Sequence, residues 1–596
     1  MSKMVHQKIN MQLLPMKGHF FLFSAGTAPI VPFITVYARQ LGFSSVVVGT
    51  MYTILPVCGM LAKPLFGAAA DHFRLQKFIF LLFQVVTLLA FFAIKFIPEL
   101  PNQSFASLDC DSLTVIKACN NASINQCTLD RFQSEENDAS VVFCQLECYA
   151  QNSSFVEELC FQWKIQQYCE SGSSSVAESH LLHGSTNLNV PVRFKAEVPL
   201  KHTVQNEGCL YFRVNATYFD GTHAVPYCNK LTSVKCNIAC YDETLNEVLK
   251  KPTGDDFSVS SFYQFWLFFL LLILSWVGMA VVTSVGDAIC FGLLGDRPSD
   301  YGNQRLWGAV GWGIFSFASG ALVDEFSVNK VNKDYSAMFY LMAIMIILDF
   351  VVSLKIKHTQ TKLSNSIVRD VGGLICDVRI CVFLLWCIAV GICTGLLWQF
   401  LFWHLEDLVE GCSAEKWIKT LEGLVSAVQC FGGEIPFFFL SGSLLQRIGH
   451  VNAMSLVLAA FGVRFMLYSY LTNPWWCLPI ELLQGVTFGL FYSTMASYAS
   501  IITPPGTDAT IQGLVGAIFE GVGVSVGSLL GGVLFKYGGA FAFRVYGIGA
   551  LILFVIHVVV QHFIPRKTQY SVQPKDLVLT AHYTTPADAV HMLEEQ

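Results

Sequence analysis

Apolar residues in this chain come in long unbroken runs rather than on one face of otherwise polar segments. A helix that is apolar all round belongs in a buried core or in a membrane. Runs long enough to cross a bilayer lie at about 19–38, 46–70, 78–97, 262–290 and 306–323. Seven more lie near 337–354, 380–403, 421–442, 451–471, 475–499, 511–535 and 540–563, so the pattern predicts twelve transmembrane helices. It fails on a large scale once, across 98–260, where polar residues and cysteines replace it. The boundaries that follow are helices one to three in 1–97, the polar loop 98–260, helices four to six in 261–355, a linker 356–377, helices seven to twelve in 378–564 and a tail 565–596.

Composition agrees with this pattern. Apolar residues make up 53% and charged residues 13%, against about 25% charged in soluble domains. Mean hydropathy is +0.51. A net charge of −6 over 596 residues implies no nucleic-acid partner. Lys17 and His19 precede an apolar stretch that runs on into a second helix, which does not read as a cleavable signal. The lipid bilayer is the partner that composition names, in a plasma membrane or in a secretory or endolysosomal one.

Charge adds orientation. Lys3, Lys8, Arg74, Lys77, Arg297, Lys355, Lys357, Lys362, Arg369, Arg447, Arg566 and Lys567 fall on one side of the predicted spans. The opposite short loops carry Arg39, Lys330, Lys333, Lys416, Lys419 and Lys536. The positive-inside rule then places both termini in the cytoplasm and 98–260 outside the cell or in a lumen. All four glycosylation acceptors, Asn102, Asn121, Asn152 and Asn215, lie in that loop. So do eleven of the 20 cysteines: Cys110, Cys119, Cys127, Cys144, Cys148, Cys160, Cys169, Cys209, Cys228, Cys236 and Cys240. Sequons and clustered cysteines together predict a disulfide-stapled ectodomain. Eleven is odd. Either Cys412, in the loop after the seventh helix, pairs with one of them and ties the two halves together, or one thiol stays unpaired. The chain lacks the CxxC and His pairs of a zinc site, and 171–190 is Ser-rich.

Ionisable residues interrupt the apolar runs at few places. Each costs at least ~2.5–3.5 kcal/mol on insertion scales, so a functional reading comes first. Asp287 ends the fourth run, Arg305 opens the fifth, and Trp312 follows seven residues later on the same helix face. An acid, a base and an aromatic plate facing a cavity would bind a small polar solute. In the second half Glu434, Arg464, Glu481 and Glu520 interrupt runs eight to eleven. No GxSxG, HExxH or GxxxxGK[ST] occurs, so no enzyme chemistry, ATP-driven pumping or cofactor is implied.

Two segments carry a family resemblance. PLFGAAADHFRLQKF ends the second run and PFFFLSGSLLQRIGHVNA the eighth. Both resemble the cytoplasmic signature of the major facilitator superfamily, Gly-x-x-x-Asp-basic-x-Gly-x-basic-basic. The first copy keeps Gly67, Asp71 and Lys77, with Arg74 where glycine is expected. The second keeps Gly442, Arg447, Gly449 and His450, with Gln446 in place of the acid. YGNQRLWGAVGWG and GHVNAMSLVLAAFGVRF resemble the oligosaccharide- and nucleoside-proton symporter branch. The large loop resembles that of the domain-containing protein 6 subfamily of the superfamily.

The resemblance implies two six-helix bundles, all α, with a disulfide-rich extracellular loop between helices three and four. It implies alternating access around a site near the midplane, with a small polar solute and protons as partners. Asp287, Arg305 and Trp312 fall where lactose-permease-like transporters hold sugar, Asp287 standing in for a glutamate. Arg464, within GVRF, matches an arginine placed beside a proton-carrying carboxylate. Glu434, with glycines before it and Pro436 after it, is the first choice of carrier. Gly67, Asp71, Arg74, Lys77, Gly442 and Arg447 form a cytoplasmic gate.

The plainer readings stand beside these. Arg305 and Lys63 suit snorkelling to the surface, Asp287 a helix end, and Trp312 packing. Glu434, Arg464 and Glu481 suit static ion pairs. Asp349 reads as a surface partner of Lys355 and Lys357, and Glu406 and Asp407 as solvated. Beside transport stands a second class: a receptor or scaffold whose ectodomain binds an extracellular protein ligand.

Overall fold

Broken helices mark the places where this chain departs from a plain bundle of spans. The computed structural model describes residues 13–100, 102–119, 141–149, 162–163, 191–206, 209–219, 222–242, 245–246, 249–252, 258–294, 301–328, 330, 332–356, 378–409, 416–502 and 514–563. The chain divides into two compact units, one of 1–98, 256–408 and 417–596, the other of 99–255 and 409–416.

The first unit is helical: α1 (Leu14–Thr27), α2 (Ile34–Gln40), α3 (Ser45–His72), α4 (Gln76–Ile94), α5 (Tyr263–Leu294), α6 (Tyr301–Phe326), α7 (Ser336–Ser353) and α8 (Val378–Asp407) form its first part. Then follow α9 (Ile418–Val428), α10 (Ile435–Ile448), α11 (His450–Ser469), α12 (Cys477–Glu481), α13 (Phe491–Ile502), α14 (Ser525–Phe535) and α15 (Gly539–Phe563). Among the described residues nine helices are long and apolar enough to cross a membrane, or ten if the bent pair Ile418–Phe437 and Phe439–Ile448 is one span.

Two further apolar stretches are interrupted. Between α1 and α2, Pro29 and Pro32 supply no amide donor and end the helix. The freed carbonyls of Ala28 and Pro29 accept from the Ser316 and Ser319 hydroxyls of α6, at 3.3 and 3.1 Å, as a buried backbone requires. From Cys477 to Ile502, α12 and α13 flank a π-helical turn at Gly485–Leu490. Similar turns lie at Gln429–Glu434 and Ile518–Val524. Each carries two glycines, and the first two turns pack on each other. A Cβ at Gly433 would meet Gln484 Cβ at 2.9 Å, and one at Gly485 would meet the Phe437 ring at 2.1 Å.

The second unit corrects the all-α expectation, because the described part of the loop is a sheet. Its strands are β1 (Asn102–Cys110), β2 (Thr114–Cys119), β3 (Val141–Tyr149), β4 (Pro191–Pro199), β5 (Val204–Asn206), β6 (Cys209–Arg213), β7 (Ala216–Phe219), β8 (Thr222–Ala224), β9 (Thr232–Cys240) and β10 (Lys250–Pro252). The order is β5-β6-β2-β1-β9-β3-β4-β7-β8, with β10 on β1. Alternation in VVFCQLECY turns Val142, Cys144, Leu146 and Cys148 inward, the period of two that a half-buried strand demands.

Four disulfides staple this unit: Cys110–Cys228, Cys119–Cys209, Cys144–Cys240 and Cys148–Cys236. The last three join residues directly opposite each other on paired strands. Trp163 fills the core against Phe194 and Phe219 and donates its indole N–H to the Tyr227 carbonyl at 3.1 Å. Asn215 is exposed at the β6–β7 turn. The Asn102 side chain, Asn121, Asn152, Cys127, Cys160, Cys169 and Cys412 lie outside the described residues.

Candidate functional site

A buried polar cluster sits where the first two π turns meet α11. Arg464 is fully buried and donates to Glu481 Oε2 at 2.5 Å, Gln484 Oε1 at 2.6 Å and Thr487 Oγ1 at 2.7 Å. Gln429 donates to the same Glu481 oxygen at 2.7 Å, and Gln484 Nε2 reaches Glu434 Oε1 at 3.2 Å. Glu434 is half-buried, whereas Glu481 is wholly buried. Arg464 Nε and Glu481 Oε1 have no hydrogen-bond partner among the described residues. Buried polar atoms are seldom left so, and their concentration here sets the cluster apart from ordinary packing. One amide, Gln484, thus connects a half-exposed carboxylate to a buried ion pair.

The structure brings three of the four expected C-terminal residues together and leaves one aside. Glu520, on the third π turn, pairs with Lys63 of α3 at 3.3 Å, and both are partly exposed. Lys63 therefore does not simply snorkel; it spans the two halves of the chain.

In the first half Arg305 donates to Asp287 Oδ1 at 3.0 Å, with 49% and 27% of the side chains exposed. The Arg305 guanidinium also stands 5.7 Å from the Phe20 ring centroid. Trp312 is half-buried farther along α6. Gly308 and Gly311 beside it hold α6 against α1: a Cβ at Gly311 would meet the Phe21 carbonyl oxygen at 2.4 Å.

Behind this pair lies a cluster that sequence reasoning missed. His19 Nδ1 is 2.8 and 3.1 Å from the two oxygens of Asp349, and Gln84 donates to Asp349 Oδ2 at 3.0 Å and to Ser353 Oγ at 3.1 Å. All four side chains are buried. Asp349 is therefore no surface partner of Lys355 and Lys357. The signal was there: Asp349 is the one charged residue within α7.

The gate residues are not gathered. Lys77 donates to the Leu354 and Ile356 carbonyls at 2.9 and 2.8 Å, capping the end of α7 in its own half. Arg74 and Arg447 are exposed, and a Cβ at Gly67 or Gly442 would meet nothing within 4 Å. The Asp71 side chain lies outside the described residues.

At the other end of the unit Glu406 and Asp407, expected to be solvated, both bind Arg39, at 3.3 and 2.5 Å. Here the halves touch closely, since a Cβ at Gly49 would meet the Ser528 carbonyl oxygen at 2.6 Å.

The model of the MFS_1 like family matches residues 13–545. Major facilitator superfamily domain-containing protein 6-like protein A of Xenopus laevis is 22% identical over 582 residues, covering 93% of this chain and 91% of its own. Maltose permease of Geobacillus stearothermophilus is 22% identical over 291 residues, 48% of this chain and 69% of its own. Among solved structures, the nucleoside transporter NupG superposes with a TM-score of 0.55 at 12% identity, covering 93% of this chain and 100% of its own, which shows a shared fold.

Proposed function

The chain belongs to the MFS_1 like family, and from that premise we propose that it carries a small polar solute together with protons by alternating access. The observation that carries this reading is the chain Glu434–Gln484–Arg464–Glu481. A carboxylate that exchanges solvent for a buried cation changes its hold on a proton, and π turns are common at sites that must rearrange.

In this reading the interrupted stretches 14–40 and 477–502 are also crossings, which gives twelve. Both termini are cytoplasmic and the Arg39 end faces outward. The halves are joined at that end, while Gly67, Gly442 and Gly516 face open space toward the other; this is the arrangement of an inward-facing state. Asp287 and Arg305 hold the solute with Trp312 nearby. Glu434 carries the proton, Arg464 and Glu481 receive its influence, and Lys63–Glu520 shifts as the halves rock.

The test is uptake from a panel of sugars, nucleosides and small metabolites with simultaneous recording of cytoplasmic pH. A solute that enters with acid in the wild type but not in Arg305→Ala, at matched surface levels, is the expected result. Uptake unaffected by that substitution would remove the site.

A second reading is favoured by the sheet, which has its own core and disulfides: this unit binds an extracellular protein. Its deletion would then abolish partner binding while sparing uptake.

A further inference from the structure

A network of seven charged side chains joins the two halves at the Arg39 end. The first half supplies Arg39, Asp324 and Lys333, the second Glu406, Asp407, Lys419 and Glu422. Arg39 binds Asp407 and Glu406. Asp324 accepts from Lys333 at 2.6 Å and from the Thr420 N–H and hydroxyl at 2.6 and 2.8 Å. The Lys419 ammonium contacts Glu406 Oε1 and lies 3.1 Å from both oxygens of Glu422.

The charges do not balance. Four carboxylates face three cations in these contacts, and the surplus can be located. Asp324 has Lys333 and two Thr420 donors, and Asp407 has Arg39. Glu406 shares Arg39 and Lys419, so Glu422 must share its one close cation. Glu422 and Lys419 are also the most deeply buried members, at 0% and 1% exposed. Their burial follows from backbone contact: a Cβ at Gly320 would meet the Lys419 carbonyl oxygen at 1.9 Å, and one at Gly423 the Ser316 carbonyl oxygen at 2.5 Å. The charged groups that act on Glu422 are Lys419, Glu406 and Asp324, one cation against two more acids, with buried Cys477 of α12 and Tyr335 also close. A carboxylate with that surplus in a dry interface is stable once it is neutralised.

We propose that Glu422 is a proton-binding site of this latch. With the proton bound, three carboxylates face three cations and the halves stay joined. When the proton leaves, a net negative charge is buried between α6, α8 and α9 and the latch loosens. Acid on the Arg39 side therefore keeps this end closed and alkali opens it. The inference rests on the alternating-access reading but concerns a different carboxylate, at a different depth, from Glu434.

The experiment reads the latch directly, without a solute. Full-length protein in lipid nanodiscs is followed by amide hydrogen exchange at about pH 5.5 and about pH 8.5, corrected for the intrinsic pH dependence of exchange. In the wild type, peptides covering 418–428 should lose protection by about tenfold or more at the higher pH. Glu422→Gln should stay protected at both values. Glu406→Gln, which removes the same surplus from the other side of Lys419, should do likewise and guards against a folding defect of the first variant. Lys419→Gln should be unprotected at both. Equal wild-type protection at the two pH values, or a pH-dependent loss in Glu422→Gln that matches the wild type, would overturn the proposal. Either result leaves the uptake test with Arg305→Ala untouched, and a failure to find a solute leaves this test intact.

Discussion

Arg74 is the only non-glycine residue with a positive φ among the described residues, at 54°, and it stands at the signature position where Gly449 takes φ 77° in the second copy. Both copies thus take a positive φ at this position, one with a residue suited to it and one without. Arg74→Gly should relieve a left-handed strain of about 1 kcal/mol and raise the melting temperature in detergent; an unchanged or lower melt would contradict this. Asp349 and His19 make a second prediction. Removing the charge of one partner of a buried pair weakens every contact made to it, so Asp349→Asn should destabilise by about 1–3 kcal/mol. His19→Gln combined with Asp349→Asn should recover much of that loss, and a double-mutant cycle in denaturant would measure the coupling. Single charged residues in apolar runs were legible, but their partners were not. Asp287–Arg305 is 18 positions apart and could be guessed; His19–Asp349 is 330 apart, and only the folded bundle brings it together.

At the scale of elements, hydrophobic runs located the helices well because each span is apolar throughout. They could not show where a span breaks. Pro29 and Pro32 were visible in the chain, yet the break also needs the Ser316 and Ser319 hydroxyls to donate to the exposed carbonyls. The π turns were hidden for a related reason: glycines suit close packing and an extra backbone residue equally. Gly485→Ala should test this contact. Its methyl would collide with Phe437, separating the two turns, lowering stability by about 1–3 kcal/mol and disturbing the Gln484 bridge. A melt and uptake equal to wild type would contradict it. The sheet was missed although Val141–Tyr149 alternates cleanly. Its neighbours β4 and β9 alternate as well, but alternation marks a strand without naming its partner, which the opposed cysteines supply. Eight loop cysteines are joined in the four disulfides. If Cys412 takes one of the remaining loop partners, Cys412→Ser should expose one more thiol to an impermeant maleimide on intact cells. Labelling equal to wild type would contradict the pairing.

At the scale of the whole helical unit, its halves meet at the Arg39 end, and charged groups interrupt apolar helices at three places: the latch, the Arg464 cluster and the Asp287–Arg305 pair with its His19 backing. A protein that only displayed a loop would gain little from so many ionisable groups in apolar helices. The central claim is that Glu434 couples proton movement to solute movement. The most direct measurement is proton flux recorded during solute entry in wild type and Glu434→Gln, alongside solute exchange at equal concentrations on both sides. The account predicts acid influx with solute in the wild type, and in the variant exchange preserved with acid influx lost. Acid influx that persists with solute in Glu434→Gln would contradict it.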